Sequence, residues 1–407
     1  MMGDRLHKDP SLTTVKIRDL VKRIRKPVNV QPDEMYREIG IYSHGKGIFY
    51  KKERSGASLG NKSVFWVEPN CFVVNIVFAW EQAIAKTTSA EQGMIASHRF
   101  PMYKPIAGQT DLDYLVYFFN TLRGKHLLGL ASPGGAGRNK TLGQAAFLDL
   151  SIPIPSFSEQ RRIAEILGAW DNAITLTGRL IAARQRRKKA LMQQLLTGKR
   201  RFGGFMGEWE EFRLEEVTEI LLSNVDKKFD PEETTVRLCN YMDVHSNFYI
   251  TNDLPFKCGS ANEREINKFS LFKGDVIITK DSETPDDIAN AAVVSEDLES
   301  TVCGYHLAIL RPQKERIDGT FLMHHLHHPT INNQFARLAN GVTRFGLTTD
   351  SIKHAKVKLP SIDEQRRIAA VLQTCDDEIA LLEQKLSALK RQKQGLMQQL
   401  LSGKVRV

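Results

Sequence analysis

The chain has 407 residues, 42% of them hydrophobic, and a formal net charge of +10. Its length accommodates two domains of about 150 residues together with connecting helices, and its composition is that of an ordinary soluble protein. The longest apolar run, residues 71–80, is too short to span a bilayer, and residues 1–10 lack the apolar core of a signal peptide. The five cysteines show no paired spacing. We therefore expect a cytoplasmic protein with reduced thiols and no membrane segment.

Residues 1–153 form the first predicted domain. Strand-like runs lie at 38–42, 48–50 and 72–74, and residues 111–123 predict a helix. A glycine-rich loop at 132–141 then resembles a phosphate loop but lacks the Gly-Lys-Ser/Thr that a nucleotide site requires. Its Arg138, Asn139 and Lys140 suit a nucleic-acid groove, because Arg can read guanine, Asn adenine, and Lys can bind phosphate. An ordinary loop with solvated charges is the alternative.

Residues 154–206 predict a long helix and a turn-rich linker. Ser156 and Glu159 have the spacing of a capping box, in which each side chain accepts from the other residue's backbone N–H. Apolar residues then recur in alternating steps of four and three, which is the period of a coiled-coil seam rather than the wider stripe of an ordinary helix. Gly198 stands where a left-handed residue ends such a helix.

Residues 207–358 form the second predicted domain, which repeats the order of the first with different residues. Strand-like runs lie at 237–241, 275–278 and 307–310, and a helix is predicted over 321–338. A loop at 340–346 follows, 205 residues beyond the glycine-rich loop of the first domain. Because the two domains share the order of their predicted elements but not their residues, we expect two recognition domains that bind different targets.

Residues 359–407 repeat the first long helix. The segment from Pro360 matches the segment from Pro155 without a gap, and 23 of 45 aligned positions are identical. Each seam is about half apolar on its exposed side and cannot bury itself, so we expect the two helices to pack on each other antiparallel, about a pseudo-twofold axis. The alternative is two helices bound separately to their own domains. The predicted seam residues are Ile163, Leu167, Trp170, Ile174, Ile181, Leu191, Leu195, Ile368, Leu372, Ile379, Leu382, Leu386, Leu389, Leu396 and Leu400.

The positive charge is concentrated on the ends of the two long helices. Residues 179–201 contain nine basic residues and no acidic one, and residues 384–406 contain six and none. A charge run on a helix is commonly a solvated face. Two matching runs without neutralising acids instead favour a polyanion as partner.

No catalytic or metal centre emerges from the remaining motifs. His324, His325, His327 and His328 resemble metal ligands, but no acidic or cysteine partner has suitable spacing. The pair Asp286 and Asp287 is not followed by the Glu-x-Lys of a nuclease. The Asn/Asp-Pro-Pro-Tyr/Phe tetrapeptide of amino-methyltransferases and a strand-linked Gly-x-Gly loop are also absent from the sequence. We predict no catalytic residue and no metal site.

The chain resembles the specificity (HsdS) subunits of type I restriction–modification systems. The resemblance rests on the twin Pro-Ser-x-x-Glu-Gln-Arg-Arg-Ile-Ala openings at 155–164 and 360–369 and on the twin Leu-Met-Gln-Gln-Leu-Leu-x-Gly-Lys endings at 191–199 and 396–404. The Gly-Asp-Val-Ile segment at 274–277 and the glycine-rich loop also carry it. It is highly specific in the repeats and weaker in the variable regions.

This resemblance implies an α+β fold with two mixed α/β target-recognition domains, joined by two long helices packed as an antiparallel coiled coil. The implied limits are 1–153 and 207–358 for the recognition domains, with 154–206 and 359–407 as spacers. Such subunits read a bipartite, asymmetric site in double-stranded DNA. They recruit two HsdM subunits, which carry S-adenosylmethionine and methylate adenine, and HsdR subunits, which use ATP and magnesium to translocate and cleave. The chain itself is expected to hold no cofactor.

We therefore predict a non-catalytic subunit that supplies DNA sequence specificity in host defence. A stand-alone two-domain transcription or architectural factor is the alternative, and a DNA-modifying enzyme is disfavoured by the missing motifs. The predicted DNA contacts are Arg138, Asn139, Lys140, Thr343 and Arg344, followed by Lys280, Tyr305 and His306 near strand ends of the second domain.

Overall fold

The computed structural model describes residues 12–60, 62–134, 140–226 and 229–407. The chain divides at residues 178/179 and again at 384/385 into two compact units. Unit 1 joins the first part of the chain to residues 385–407, and unit 2 spans residues 179–384. Each unit thus contains part of both long helices.

The first part of the chain contains short strands, short helices and the first long helix. In chain order the strands are β1 Thr13–Lys16, β2 Val21–Ile24, β3 Met35–Tyr36, β4 Ile39–Ile41, β5 Ile48–Tyr50, β6 Arg54–Ser55, β7 Val64–Trp66, β8 Phe72–Val74, β9 Ile84–Lys86, β10 Ile95–Ser97, β11 Met102–Pro105 and β12 Ser151–Ile154. The helices are α1 Gly56–Leu59, α2 Leu112–Phe119, α3 Leu122–Leu130, α4 Gln144–Asp149 and α5 Phe157–Leu195.

The second part likewise contains short strands, short helices and one long helix. Its strands are β13 Glu210–Arg213, β14 Thr218–Leu222, β15 Thr234–Cys239, β16 Tyr249–Ile250, β17 Lys257–Ala261, β18 Val276–Thr279, β19 Asp281–Ser282, β20 Ala291–Val294, β21 Thr301–Cys303, β22 Leu307–Pro312, β23 Phe345–Gly346 and β24 Lys356–Leu359. Its helices are α6 Leu214–Val217, α7 Tyr241–His245, α8 Glu263–Phe269, α9 Gly319–Leu326, α10 Pro329–Leu338, α11 Thr349–Lys353 and α12 Ile362–Leu400.

Unit 1 is built on a four-stranded antiparallel sheet in the order β2-β11-β8-β9. Aromatic side chains of this sheet and of the neighbouring helices form its core, in which Phe72 stacks on Phe147 with ring centroids 5.9 Å apart. Smaller two-stranded ribbons, β3-β6, β4-β5 and β7-β10, complete the unit. The strands predicted at 38–42, 48–50 and 72–74 are confirmed.

Unit 2 contains a five-stranded sheet in the order β14-β22-β18-β20-β16 and a three-stranded sheet in the order β17-β15-β21. Central strand β18 is buried at every position, which explains its uninterrupted apolar sequence Val-Ile-Ile before Thr279. The strands predicted at 275–278 and 307–310 are confirmed by β18 and β22. The interiors of the two units therefore differ.

The two units share the same frame, by which we mean the paired first and last strands around the central sheets and the long helix that follows. In unit 1, β1 pairs antiparallel with β12, the strand that leads into α5. In unit 2, β13 pairs antiparallel with β24, the strand that leads into α12. We call the segments from β1 to β12 and from β13 to β24 the recognition regions. Because the first and last strands of each region pair, its two ends lie together at the start of a long helix.

Two predicted helices are each divided into two. The helix predicted over 111–123 is interrupted after α2, because the Thr121 side chain accepts from the Gly124 backbone N–H at 3.0 Å and caps α3. The helix predicted over 321–338 is interrupted between α9 and α10. There His328 Nδ1 accepts from the Thr330 backbone N–H at 3.3 Å, and Pro329 cannot continue the preceding helix.

Both long helices begin and end where the sequence predicts. Each has 39 residues, which corresponds to roughly 58 Å at about 1.5 Å per residue. Gly198 and Gly403, just beyond the helix ends, have φ of 67° and 77°, the left-handed region that glycine adopts without steric penalty.

Eight of the fifteen predicted seam residues lie in or against the cores of the units. In unit 1, Ile163 and Leu167 share a core with Leu400, and in unit 2 Ile368 and Leu372 share one with Leu195. Every predicted seam residue is buried or half-buried. Full burial of one such side chain contributes roughly 1.5–3 kcal/mol, so within each unit the start of one long helix is held against the end of the other.

Candidate nucleic-acid interface

A hairpin at residues 340–346 carries two of the predicted DNA contacts. The backbone groups of Asn340 and Gly346 exchange two hydrogen bonds, of 3.0 and 2.9 Å. Thr343 and Arg344 lie exposed at its tip. Gly341 has φ of 145°, and a Cβ atom added there would lie 1.9 Å from the carbonyl oxygen of Arg344, so the turn requires glycine.

The same hairpin contacts the strand region that carries Lys280. Strand β23 pairs antiparallel with β19, in the register Asp281 opposite Gly346. The Leu347 backbone N–H donates to the Lys280 carbonyl at 2.8 Å, and the Lys280 N–H donates to the His306 carbonyl at 3.0 Å. The structure therefore brings Thr343, Arg344, Lys280, Tyr305 and His306 into one region of unit 2.

Lys280 is held by two contacts in this region. Its ammonium lies 4.8 Å from the centre of the Tyr305 ring, a cation–π distance, and donates to the Ser223 carbonyl at 3.3 Å. Tyr305 remains 44% exposed. A cation beside an exposed aromatic ring is a combination that binds phosphate and stacks on bases.

Sequence reasoning missed a carboxylate in this region. Asp281 Oδ2 lies 2.5 Å from His306 Nδ1, and both side chains are about one-third exposed. His306 also has φ of 72°, the left-handed region that residues with a Cβ adopt only rarely. The sequence gives no signal for this pair, since 25 residues separate its members.

In unit 1, Lys140 is the predicted contact within the described residues, because Arg138 and Asn139 lie outside them. Lys140 forms a β-bridge with Gly134, and its ammonium lies 5.5 Å from the Trp80 ring centre. Trp80 is itself fixed by an Nε1–H bond of 3.2 Å to the Val77 carbonyl. Lys140 is thus placed beside an aromatic ring, as Lys280 is in unit 2.

The four clustered histidines at 324, 325, 327 and 328 belong to the core of unit 2. His325 stacks on Phe321 at 5.2 Å, and burial lowers its pKa to about 3. Burial also lowers the pKa of His324 well below its usual value. His327 Nε2 donates to the Ala291 carbonyl at 2.7 Å. Among residues 12–60, 62–134, 140–226 and 229–407, no group of three His, Cys, Asp or Glu side chains could hold a metal ion.

The glutamates of the repeated openings do not complete capping boxes. Ser156 Oγ does accept from the Glu159 backbone N–H, at 3.4 Å. The Glu159 carboxylate, however, binds the guanidinium of Arg406 at both oxygens, with Nε at 2.6 Å. Glu364 binds Arg201 in the same way, at 2.9 and 2.5 Å. That half of the prediction is wrong because a bidentate charged pair outcompetes a bond to one backbone N–H.

The glutamines of the same openings attach the long helices to the recognition regions. In unit 1, Gln160 Oε1 accepts from the backbone N–H of Asp111, the residue that caps α2, at 3.0 Å. In unit 2, Gln365 Oε1 accepts from the backbone N–H of Asp318, which caps α9, also at 3.0 Å. The Glu-Gln dipeptide therefore has the same two structural roles in both units.

A cluster of lysine, aspartate and tyrosine recurs in the two units. In unit 2 the Lys188 ammonium binds Asp376 Oδ1, while the Tyr249 hydroxyl donates to Oδ2 at 3.1 Å. In unit 1 Lys393 binds Asp171 Oδ1 at 2.6 Å, and the Tyr117 hydroxyl donates to Oδ2 at 2.7 Å. The lysines and aspartates are repeat equivalents, 205 residues apart.

The tyrosines of these clusters come from unrelated elements, α2 in unit 1 and β16 in unit 2. Burial, followed by the neighbouring carboxylate, raises the pKa of both phenols above the usual value. Both hydroxyls therefore remain protonated and act as donors. Two different recognition regions thus bind the same site on the repeated helices.

The basic runs are partly neutralised, contrary to the prediction. Five of their fifteen basic residues bind carboxylates within their own unit. These five are Arg184, Lys188, Arg201, Lys393 and Arg406. The other ten are exposed, and they keep the helix ends positive: Arg179, Arg186, Arg187, Lys189, Lys199, Arg200, Lys385, Lys390, Arg391 and Lys404.

The Gly-Asp-Val-Ile segment has a structural role. Both oxygens of Asp275 accept from the Arg311 guanidinium, at 3.0 and 2.9 Å, and Oδ2 also accepts from the Phe272 backbone N–H. Gly274 has φ of 96°, and a Cβ atom on Gly319 would lie 2.2 Å from the Gly274 carbonyl oxygen. The segment forms a tight turn that starts β18 and receives the start of α9.

Within the described part of the chain, no helix is both long enough and apolar enough to cross a membrane. The charged ends of α5 and α12 illustrate why the two longest helices do not qualify.

Comparisons with known proteins agree with this architecture. The family model "Type I restriction modification DNA specificity domain" matches residues 67–183 and 206–391. The chain is 23% identical over 304 residues to the MjaVIII type I restriction enzyme specificity subunit of Methanocaldococcus jannaschii, an alignment covering 72% of this chain and 70% of that protein.

Two solved structures share the fold. One is the HsdS subunit from Thermoanaerobacter tengcongensis, with a TM-score of 0.51 at 19% identity over 98% of both chains. The other is a type I restriction–modification S subunit from M. genitalium, with a TM-score of 0.60 at 15% identity over 97% of both chains.

The family model that matches both halves of this architecture is a DNA specificity domain, which makes the chain a DNA-recognition protein. The family match covers most of the chain, and the chain therefore belongs to the type I restriction–modification DNA specificity family, as a specificity subunit. Because this family consists of specificity subunits, the prediction that the chain is not itself the enzyme is confirmed.

Proposed function

We propose that this chain reads a bipartite, asymmetric site in double-stranded DNA and directs a methyltransferase and an endonuclease to it. One observation carries the proposal: the two units have the same frame but different interiors. Paired end strands, the Glu-Gln contacts and the Lys-Asp-Tyr cluster recur in both units, whereas the central sheets have four and five strands. Two recognition regions that share a frame but differ in their central sheets suit a DNA site whose two halves differ in sequence.

The two long helices are proposed to pack as an antiparallel coiled coil about a pseudo-twofold axis, as a spacer between recognition domains at 1–153 and 207–358. The reciprocal pairs Lys188–Asp376 and Lys393–Asp171 support this arrangement. In each unit the start of one helix meets the end of the other, which is the expectation for antiparallel partners. A spacer of fixed length suits half-sites separated by a fixed part of the DNA helix.

The proposed partners follow from the family. Two HsdM subunits would bring S-adenosylmethionine and methylate adenine, and HsdR subunits would bring ATP and magnesium for translocation and cleavage. This chain would supply recognition of the DNA sequence. The complex would act in the cytoplasm. Because the chain belongs to a family of specificity subunits, we assign methylation, translocation and cleavage to the partners.

Arg344→Ala is expected to reduce discrimination in one half-site only. Arg344 lies exposed at the tip of the 340–346 hairpin, and one bidentate arginine–base contact is worth about 1–3 kcal/mol, or roughly 5- to 150-fold in discrimination.

Lys280→Ala is expected to weaken binding to all DNA sequences alike and to lower the slope of log affinity against log salt by about one. Binding by the full-length chain, assembled with its methyltransferase, to randomised half-sites measures both effects.

Arg264→Ala, an exposed arginine on α8 of the same unit, is the matched control and should change neither quantity. Equal losses in both half-sites after Arg344→Ala would contradict the assignment of this hairpin to one half-site.

A further inference from the structure

His306 lies in a turn whose backbone is fixed from three sides. Gly304 N–H donates to the Cys239 carbonyl at 2.8 Å, and Tyr305 N–H donates to the Val225 carbonyl at 2.7 Å. The His306 carbonyl accepts from Lys280 N–H at 3.0 Å. These bonds hold His306 at φ of 72°, a conformation that is strained for a residue with a Cβ.

Asp281 fixes the orientation of the imidazole ring. An ionised carboxylate only accepts hydrogen bonds, so the 2.5 Å contact places a proton on His306 Nδ1. Nε2 is then the ring atom that remains for another partner. The centroid of the Tyr305 ring lies 4.1 Å from that of the imidazole, with 66° between the two ring planes. The ring is thus held by a carboxylate and an aromatic neighbour while about one-third of it stays exposed.

The surroundings of His306 are those of the proposed DNA contacts. Lys280 precedes Asp281 in the chain and supplies a positive charge over Tyr305. The hairpin that exposes Arg344 pairs with the Asp281 strand.

We infer that His306 reads the edge of one base in the half-site of unit 2 and that Asp281 is its positioning residue. With Nδ1–H bound to Asp281, Nε2 is the ring atom that meets the base, and as an acceptor it binds an exocyclic amino group in the major groove, such as N6 of adenine or N4 of cytosine. This inference rests on the proposed function and deepens it.

The test is selection of randomised DNA by the full-length chain in complex with its methyltransferase, followed by sequencing of the bound fraction. His306→Asn removes the ring but tolerates a positive φ. It is expected to reduce discrimination about tenfold at one base pair of one half-site, the equivalent of one lost base contact. Asp281→Asn is expected to affect the same base pair more weakly.

His354→Asn is the matched control, because His354 also lies near a carboxylate, 4.0 Å from Glu215, but at the end of α11. It should leave every position unchanged. If thermal melting shows that His306→Asn does not fold, Asp281→Asn alone carries the test, since it preserves the size of the side chain.

The outcomes distinguish a failure of the inference about His306 from a failure of the proposed function. Unchanged discrimination in the His306 and Asp281 variants, or an equal loss at all positions, would overturn the inference while a wild-type two-part site still supports the proposed function. A wild-type complex that selects no two-part site would contradict both.

Discussion

Lys188→Met is expected to lower the free energy of unfolding of unit 2 by about 3 kcal/mol. The Lys188 and Asp376 side chains are only 10% and 12% exposed, and the ammonium also lies 4.4 Å from the Phe248 ring centre. Methionine preserves the length of the side chain but leaves the Asp376 carboxylate without a counter-charge. Removing one partner of a buried pair costs about 3–5 kcal/mol, and the lower value applies because this pair retains some exposure. Hydrogen exchange of the α9 amides measures the change.

Two comparisons make this expectation specific. Lys189→Met changes an exposed neighbour on the same helix and should have no measurable effect. Lys393→Met removes the equivalent lysine of unit 1, whose partner Asp171 is 45% exposed, and should cost about 1 kcal/mol or less. Equal losses for Lys188→Met and Lys189→Met would mean that the Lys188–Asp376 pair does not stabilise unit 2.

Gly341→Ala is expected to lower affinity for the half-site of unit 2 by at least about fivefold without unfolding the chain. The added Cβ would lie 1.9 Å from the Arg344 carbonyl oxygen, at φ of 145°, so the tip of the hairpin must change shape. Displacement of Thr343 and Arg344 removes contacts worth about 1–3 kcal/mol for one bidentate pair. Because residues 341–344 are exposed, the core of unit 2 is not affected.

Gly203→Ala is the control for this substitution. A Cβ atom added at Gly203, in the linker after α5, has no atom within 4 Å. It should leave binding and melting temperature unchanged. Unaltered selection of both half-sites by Gly341→Ala would show that the hairpin does not contact DNA.

The frame of the protein was predictable because it repeats in sequence. The long helices and their glycine ends follow from short-range periodicity, which one sequence reveals. The buried strands β18 and β22 were predictable because their apolar runs are uninterrupted. Helix breaks at Thr121 and Pro329 were not predicted, although both residues carry ordinary signals for a new helix start.

The roles of charged residues were not predictable because their partners are distant in sequence. Glu159 has the spacing of a capping box, yet its partner Arg406 lies 247 residues away. The lysines of the basic runs resembled solvated or DNA-binding charges until Lys188 and Lys393 were placed beside aspartates of the other helix. The pairing of Asp281 with His306 likewise depends on the fold of unit 2.

The most direct test of the central claim is the methylation pattern of DNA in cells that carry this chain and its methyltransferase, read by single-molecule sequencing. The account predicts a methylated two-part motif with a fixed spacer that disappears when this chain is deleted. An uninterrupted palindrome, or methylation that persists after deletion, would contradict it and favour a stand-alone DNA-binding factor.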